Sequence, residues 1–421
     1  QSLKVQTDIY STADQGAVHG AEHNNQATTS IQVAKSTNLT IIKTADDPIV
    51  DIGEPMGFYM QLYNGSTASY EGWVVDVLPY SGEGRSSFHG TLQVEEFKII
   101  GNVDPQWKGV TFYYTTDAQY KGLLDATDLD VTGWSTFTLD DNYTWKPGTQ
   151  TEQITAIAYQ CNIPGQGRIQ MHITLSLPGS EPGDEIHNHL LLNSLRSNAY
   201  SQIVSRTLEG LTWLDDNGDG IQDEDAARRI SGVKVELLKL KDGGNAANES
   251  DYEPYHYQDD STLPVVEIET GKQVSVLASS ASAATDYETG RYKFTDLPAG
   301  TFAVRFTDGS TKISPLLASP SNRGADDTKD SDGEATYTSD HSRLEKTVIL
   351  NIDMPKAEDM QVALFESKNH DSGFYEKGPE LPMTGGTGTT PYTIGGLLLT
   401  GAGILLLYNN KKRRKEDFAS S

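Results

Sequence analysis

The sequence predicts an all-β protein, with tandem antiparallel β-sandwiches followed by a single C-terminal transmembrane helix. Residues 58–62 and 233–237 place apolar side chains at every second position, which is the period of a half-buried strand. Turn pairs such as Asn64-Gly65 and Asp308-Gly309 separate such segments, and 39 of the 421 residues are glycine. Helical periodicity is rare before the C-terminal tail, so many short strands with frequent turns favour sandwiches.

Length, charge and cysteine content limit what the chain can be. A chain of 421 residues suggests about two to three domains. Its 59 acidic and 33 basic residues give a net charge of −26, which disfavours nucleic acid and anionic membrane surfaces as partners. The single cysteine, Cys161, excludes a disulfide framework and a cysteine-rich metal site. Because the chain begins at Gln1, without Met or a signal peptide, we interpret it as the C-terminal piece of a longer protein.

The C-terminal segment has three parts in a fixed order. Residues 381–385 read LPMTG, an apolar run spans residues 394–408, and five consecutive basic residues follow at 411–415. An apolar run followed by a cationic block halts in a membrane with the block on the cytoplasmic side and everything upstream outside. A plain tail anchor and a buried apolar helix are the alternatives.

This three-part segment resembles the cell-wall sorting signal of Gram-positive LPxTG surface proteins. The resemblance implies that a sortase recognises Leu381, Pro382, Met383, Thr384 and Gly385, cleaves after Thr384 and joins that residue to peptidoglycan. We therefore expect the protein in the cell wall, on the extracellular surface of a Gram-positive bacterium. The membrane would hold only the precursor, through its tail.

A short repeated motif, together with the C-terminal segment, divides the chain into four parts. His23-Asn24 and His187-Asn188 are each followed by a strand-like segment and the start of a new unit, which suggests tandem repeats. We predict that residues 1–37 end a preceding repeat domain, that 38–206 form one β-sandwich and 207–375 a second, and that 376–421 form the sorting signal.

The segment from Asn38 to Ser66, with the VVDVLP sequence that follows it, resembles a repeat domain of bacterial surface proteins. Related sandwiches often contain a self-formed isopeptide bond between Lys and Asn. The resemblance implies that Lys43 joins Asn188 in the last strand, with Asp76 as the assisting acid. Burial would promote this reaction, since it favours a neutral, nucleophilic amine and a protonated carboxyl. The alternative is that Lys43 is a solvated strand residue and Asn188 a turn residue.

Residues 213–223 read WLDDNGDGIQD and have the oxygen-ligand spacing of an EF-hand-like calcium loop. Gly220 permits the sharp turn, whereas Ala226 stands where a bidentate Glu is expected, so Glu224 or Asp225 would have to replace it. The predicted calcium ligands are Asp215, Asn217, Asp219, Ile221, Asp223 and Asp225. A solvated, Asx-rich turn is the alternative.

This loop opens a stretch that resembles the B-type repeat of staphylococcal serine-aspartate surface proteins. The resemblance continues through TGRYKFTDLPAGTFAVRF and DDTKDSDGE, and it closes with DSGFY at residues 371–375. It implies a prealbumin-like sandwich that binds Ca²⁺ and acts as a rigid spacer, beside the immunoglobulin-like sandwich expected before it. Asp327, Asp330 and Asp332 form a possible second metal site, with an ordinary acidic loop as the alternative.

These features favour a structural function, as the stalk of an adhesin-like surface protein with sortase and peptidoglycan as partners. A second hypothesis is that residues 38–206 bind a host or matrix glycan or protein through an aromatic platform of Trp73, Trp107, Trp134, Trp145, Tyr113 and Tyr114. A sortase-polymerised pilin is a weaker hypothesis, since Trp145-Lys146-Pro147 replaces a Tyr-Pro-Lys motif poorly. No GxSxG, HExxH or P-loop motif occurs, so we expect no enzyme.

Overall fold

The computed structural model describes residues 2–6, 28–32, 38–80, 82–101, 107, 109–277 and 284–378. Across this part of the chain the regular structure consists of β-strands and short 3₁₀ helices, which confirms the all-β prediction. The predicted transmembrane segment, at residues 394–408, lies outside the described residues. None of the helices in the described ranges has the length and apolar character needed to cross a membrane.

The first described strands form an antiparallel hairpin of β1 (Ser2–Gln6) and β2 (Thr28–Gln32). Ser2 pairs with Gln32 and Gln6 with Thr28, so the two strands are in register along their whole length. The assignment of residues 1–37 to a preceding repeat stays a prediction.

The next strands build a sandwich of two antiparallel sheets. One sheet has the order β10-β7-β12-β5-β3, and the facing layer has the order β14-β13-β6-β11-β8-β9. In β5 every second side chain is buried, as expected for a strand with one face on the core. The strands are β3 Leu39–Ala45, β4 Ile49–Asp51, β5 Met56–Asn64, β6 Tyr70–Val77, β7 Gln93–Ile99, β8 Phe112–Thr115, β9 Ser135–Phe137, β10 Thr144–Trp145, β11 Ala156–Ile163, β12 Arg168–Ser176, β13 Glu185–Leu192 and β14 Leu195–Leu214.

A second sandwich follows. Its first layer has the order β16-β15-β21-β24-β23, and its second layer continues the sheet of β14 through β20, β18 and β19. The strands are β15 Lys234–Leu240, β16 Tyr252–Pro254, β17 Glu267–Glu269, β18 Lys272–Ser275, β19 Thr285–Asp286, β20 Arg291–Leu297, β21 Gly300–Thr307, β22 Leu316–Ala318, β23 Glu334–Tyr337, β24 Leu344–Met354, β25 Leu364–Ser367 and β26 Ser372–Glu376. Short 3₁₀ helices lie at Ala118–Gly122, Ala226–Arg228, Glu249–Asp251, Tyr257–Asp259 and Ala357–Asp359.

One strand, β14, belongs to both sandwiches. Its 20 residues pair with β13 and β4 at their beginning and with β20, β25 and β26 further on. The boundary predicted at residue 206 therefore falls inside a continuous strand. The main core of the first sandwich includes β14 as far as Ile203, and the core of the second begins at Leu208.

The junction between the two cores is closed by a buried arginine. The Arg206 guanidinium donates to the Asp51 carboxylate at 2.8 Å and to the Leu297 carbonyl at 3.3 Å, and it also donates to the carbonyl of Pro355. Because these partners come from both sandwiches, one fully buried side chain ties the end of β4 to the end of β20 and to the loop after β24.

Candidate crosslink site and calcium-binding loops

The three residues predicted to form an isopeptide bond all face the interior of the first sandwich. Lys43 lies on the edge strand β3, Asp76 on β6 and Asn188 on β13, with exposures of 0 %, 3 % and 0 %. In the antiparallel ladder of β6 and β13, Asp76 stands opposite Leu190, so Asn188 is its diagonal neighbour on the same face. This placement excludes the alternative of a solvated Lys43 and a turn residue at position 188.

Lys43 reaches Asp76 across the gap between the two sheets. Its Nζ lies 2.5 Å from the Asp76 carboxylate, 3.5 Å from the sulfur of Met60 and 5.6 Å from the centre of the Phe58 ring. The backbone amide of Lys43 donates to the Ser197 hydroxyl at 2.9 Å, which fixes β3 beside β14.

Burial is the largest influence on both charged groups. Desolvation lowers the pKa of Lys43 to about 8, although the neighbouring Asp76 carboxylate acts in the opposite direction. Desolvation also raises the pKa of Asp76, against the effects of Lys43 and of the Asn188 amide. Both shifts favour the neutral amine and the protonated acid, which are the forms that amide exchange requires.

The Asn188 side chain is buried without a hydrogen-bond partner. The amide lies near enough to Asp76 to lower the pKa of that carboxyl, but among the described residues neither its Nδ2 nor its Oδ1 makes a hydrogen bond of acceptable geometry, and Asp76 Oδ2 is likewise unpaired. Buried polar atoms are seldom left unpaired, since each costs roughly 1–3 kcal/mol. An amide bond from Lys43 to Asn188 would release the unpaired Asn188 Nδ2 as ammonia. Protonated Asp76 Oδ2 could then donate to Asn188 Oδ1.

The position of Asn188 in the chain differs from the expectation in one respect. The residue was expected on the last strand of the sandwich, but it lies on β13, which is followed by β14. The two strands form a hairpin in which Glu185 pairs with Gln202 and Leu192 with Leu195. Asn188 therefore lies on the penultimate strand. Sequence reasoning missed this because β14 continues into the next sandwich and has no turn to mark its end.

The predicted calcium loop is a tight turn organised by Asp215. Both carboxylate oxygens of this buried residue accept backbone amides, from Gly218 at 2.6 Å and from Gly220 at 2.9 Å. Gly220 has a φ of +85°, a conformation that favours glycine, and an added Cβ would lie 2.2 Å from the carbonyl oxygen of Pro320. Asp219 accepts the amide of Ile221 at 2.8 Å.

Glu224, rather than Asp225, turns its carboxylate toward the other loop acids. Burial raises the pKa of Glu224, and the charges of Asp215, Asp223 and Asp219 raise it further. One oxygen of Glu224 accepts the Asp216 amide at 2.7 Å, while Oε2 finds no partner in the described structure. Asp225 instead accepts the amide of Ala227 at 2.8 Å and caps the short helix there.

The second acidic stretch packs directly against this loop. The amide of Gln222 donates to the Lys329 carbonyl at 2.6 Å, and the amide of Ser331 donates to the Gly220 carbonyl at 3.1 Å. Asp330 is buried within this contact, and its Oδ1 lacks a hydrogen-bond partner among the described residues. The two predicted sites are therefore neighbours in the fold.

Asp371 is a buried acid that sequence reasoning did not single out. Burial raises its pKa to about 7, and nearby Asp332, whose own pKa is raised by burial to about 6, adds to the shift. The amide of Asp371 donates to Asp332 at 2.9 Å. Of the predicted trio, Asp332 and Asp330 therefore lie near Asp371, whereas Asp327 is exposed.

The arrangement is not that of a preformed cage. Within the described ranges, no three His, Cys, Asp or Glu side chains converge closely enough to hold a metal ion. The loop acids instead hold backbone amides, and among the described residues of the two acidic stretches the unpaired carboxylate oxygens are Glu224 Oε2 and Asp330 Oδ1. A cation would have to displace some of these local hydrogen bonds, and the assignment of calcium ligands stays a prediction.

The aromatic residues proposed for a ligand platform are partly in the core. Trp107 and Trp134 are buried, whereas Trp73 and Trp145 are half-buried. Trp145 stacks on the buried Phe137, with 3.7 Å between the ring centres. These side chains do not form one exposed surface, so the fold gives the platform no support.

Two protein families match parts of the chain. Residues 250–354 match the SdrD B-like domain, and residues 375–417 match the LPXTG cell wall anchor motif. The chain is a Gram-positive LPxTG surface protein that contains an SdrD B-like domain, and the anchor motif places it in the cell wall at the surface of the bacterium. The motif implies processing by sortase and attachment to peptidoglycan. The motif residues 381–385 themselves lie outside the described structure, and the calcium loop precedes the matched part of the B-like domain.

A search of curated proteins gave no match. Among solved structures, similar chains include BcpA, the major pilin subunit of Bacillus cereus, at 10 % identity over 82 % of this chain and 71 % of that one, with a TM-score of 0.33. The full-length major pilin SpaD from Corynebacterium diphtheriae is 8 % identical over 81 % of this chain and 68 % of that one, with a TM-score of 0.31. The 35 kDa C-terminal fragment of the Streptococcus agalactiae major pilin GBS80 is 9 % identical over 78 % of this chain and 98 % of that one, with a TM-score of 0.33. At this similarity they support no conclusion about function.

Proposed function

We propose that the chain is the wall-proximal stalk of an adhesin-like surface protein, with its first sandwich locked by a Lys43–Asn188 isopeptide bond. The observation that supports the bond most strongly is the buried group of Lys43, Asp76 and Asn188, in which the amide has no hydrogen-bond partner among the described residues. Such a stalk needs stiffness rather than catalysis, so no enzymatic activity is part of the proposal.

The bond forms by amide exchange without any added reagent. Asp76 first takes a proton from Lys43, and the protonated acid then donates a hydrogen bond to the Asn188 carbonyl oxygen. The neutral Nζ of Lys43 attacks Cγ of Asn188, the Cγ–Nδ2 bond breaks, and Nδ2 leaves as ammonia after gaining a proton from the attacking amine. The product is one secondary amide, and Asp76 ends as the neutral acid beside it.

Calcium is the second stiffening element of the proposal. The oxygen-rich loop at residues 215–225 and the stretch at 327–332 lie against each other, and their acids repel when no cation is present. Glu224 replaces Asp225 as the acid that completes the first loop, because Asp225 already caps the 3₁₀ helix that follows. Bound Ca²⁺ would then stiffen the second sandwich, which lies between the first sandwich and the wall anchor in the chain.

Intact-mass spectrometry of the full chain tests the crosslink. The expected mass is that of the sequence less one ammonia, and Lys43→Arg or Asp76→Ala should restore the unmodified mass, since arginine stays charged and alanine cannot supply the proton. Ser197→Ala is the matched control: it removes a buried side chain that contacts β3 and should leave the ammonia loss intact. An unmodified mass for the parent chain would contradict the proposal.

A further inference from the structure

We propose that β14 is a tension-bearing strand, and that the second sandwich transmits force between the outer part of the protein and the wall through a parallel clamp. The clamp consists of β14 together with the returning strands β25 and β26. This inference rests on the proposed stalk function, because a stalk that links an outer region to the wall is pulled at both ends.

The topology puts the first and last strands of the second sandwich side by side. β25 pairs in parallel with β14, with Ser205 opposite Leu364 and Leu208 opposite Ser367. β26 also pairs in parallel with β14, with Thr212 opposite Ser372 and Leu214 opposite Phe374. The chain enters this sandwich along β14 and leaves it along β26. Tension therefore pulls β14 toward its N-terminal end and β26 toward its C-terminal end.

Forces of this kind load the clamp in shear. Hydrogen bonds in a sheet run across the strands, so sliding two parallel neighbours in opposite directions strains every rung at the same time. Additional links surround the ladder: the amide of Ser205 donates to the Ala363 carbonyl at 2.9 Å, and the amide of Asp215 donates to the Phe374 carbonyl at 2.7 Å. Between them, the amide of Leu211 donates to the Asp371 carboxylate at 2.8 Å.

A close approach of the backbones holds the middle of the clamp together. At Gly210 an added Cβ would lie 1.9 Å from the carbonyl oxygen of His370, so only glycine allows the two segments to come this near. The buried Tyr292 hydroxyl donates to the same carbonyl at 2.9 Å. Substitution of Gly210 must therefore push the returning segment away from β14.

The clamp shields the rest of the sandwich from load. Residues 215–371, which include β25, lie between β14 and β26 in the chain and are stretched only after the clamp fails. Their release would lengthen the chain by roughly 500–570 Å, at ~3.3–3.6 Å per extended residue. Continuity of β14 passes the same tension directly into the first sandwich, where the Lys43–Asn188 bond would keep residues 44–187 from extending.

Single-molecule pulling on the full chain, held at Gln1 and at Thr384, tests the clamp. We expect one abrupt release of the stated length, and at equal load Gly210→Ala should unfold the second sandwich about tenfold faster or more. Gly109→Ala is the matched control, since no atom of the described residues lies within 4 Å of the added Cβ. A rate for Gly210→Ala equal to that of the control would overturn the proposal.

A second pair of variants covers the case in which Gly210→Ala fails to fold. Asp371→Ala removes the acceptor for the Leu211 amide and should also unfold faster under load, whereas Asp371→Asn keeps an acceptor oxygen and should not. Equal rates for these two variants would count against the clamp. Failure of the crosslink has a different signature, since residues 44–187 would then add a further extension in the parent chain.

Discussion

Replacement of Asn188 by alanine is expected to destabilise the first sandwich by about 5 kcal/mol, because Lys43 is left without an acyl partner. A crosslink from residue 43 to residue 188 closes a loop of almost the whole sandwich. For a loop of that length, the chain-entropy relation used for disulfides gives about 5 kcal/mol of stabilisation. In a domain of this size, roughly 2–4 °C per kcal/mol converts this loss into a melting temperature lower by about 10–20 °C.

The assay is calorimetric melting of the parent chain and of two variants. Ser197→Ala is the control for local packing, since it removes the hydroxyl that accepts the Lys43 amide and leaves the crosslink in place. Loss of that buried hydrogen bond costs only about 1–3 kcal/mol. If Asn188→Ala lowers the melting temperature no more than Ser197→Ala does, the first sandwich is not stabilised by a crosslink at Asn188.

Calcium should raise the melting temperature of the second sandwich, and Glu224→Gln should abolish most of this rise in calorimetry while Asp225→Asn should not, because Asp225 caps a helix. An unchanged melting temperature on chelation would contradict calcium binding by the second sandwich. In metal-free buffer the same sandwich should melt at a higher temperature at pH 5 than at pH 8. Burial raises the pKa of Asp371 to about 7, far above its unfolded value, so the folded state holds the proton more tightly and loses stability as pH rises from about 4 to 7. Asp371→Asn should flatten this dependence, and an unchanged slope would argue against it. Finally, Thr384→Ala should shift the protein from the wall fraction to the membrane and medium, which fractionation and immunoblotting would measure; full wall attachment would be the contrary result.

The sequence was informative where the signal is local. Alternating side chains predicted the strands, and the spacing of Asp215, Asn217 and Asp219 predicted a tight oxygen-rich turn. Lys43, Asp76 and Asn188 were grouped through a family resemblance, and the fold brings Lys43 within hydrogen-bonding distance of Asp76 while Asn188 lies on the same interior face.

Features that depend on distant strand pairing could not be predicted in the same way. The run of β14 across both sandwiches has no turn residue to mark it, so a boundary was drawn inside a continuous strand. Glu224 and Asp225 are adjacent acids, and only the 3₁₀ helix after them decides which one faces the loop. Asp371 is acidic like many surface residues, and its burial arises from β26 packing against β14, more than 150 residues away in sequence.

Identification of the branched peptide by tandem mass spectrometry would show directly whether Lys43 is joined to Asn188. After proteolysis of the full chain, the crosslink predicts one species in which the peptide carrying Lys43 is joined through its side chain to the peptide carrying Asn188, with one ammonia lost. Recovery of both peptides only as separate linear species, each with its unmodified mass, would show that the bond does not form.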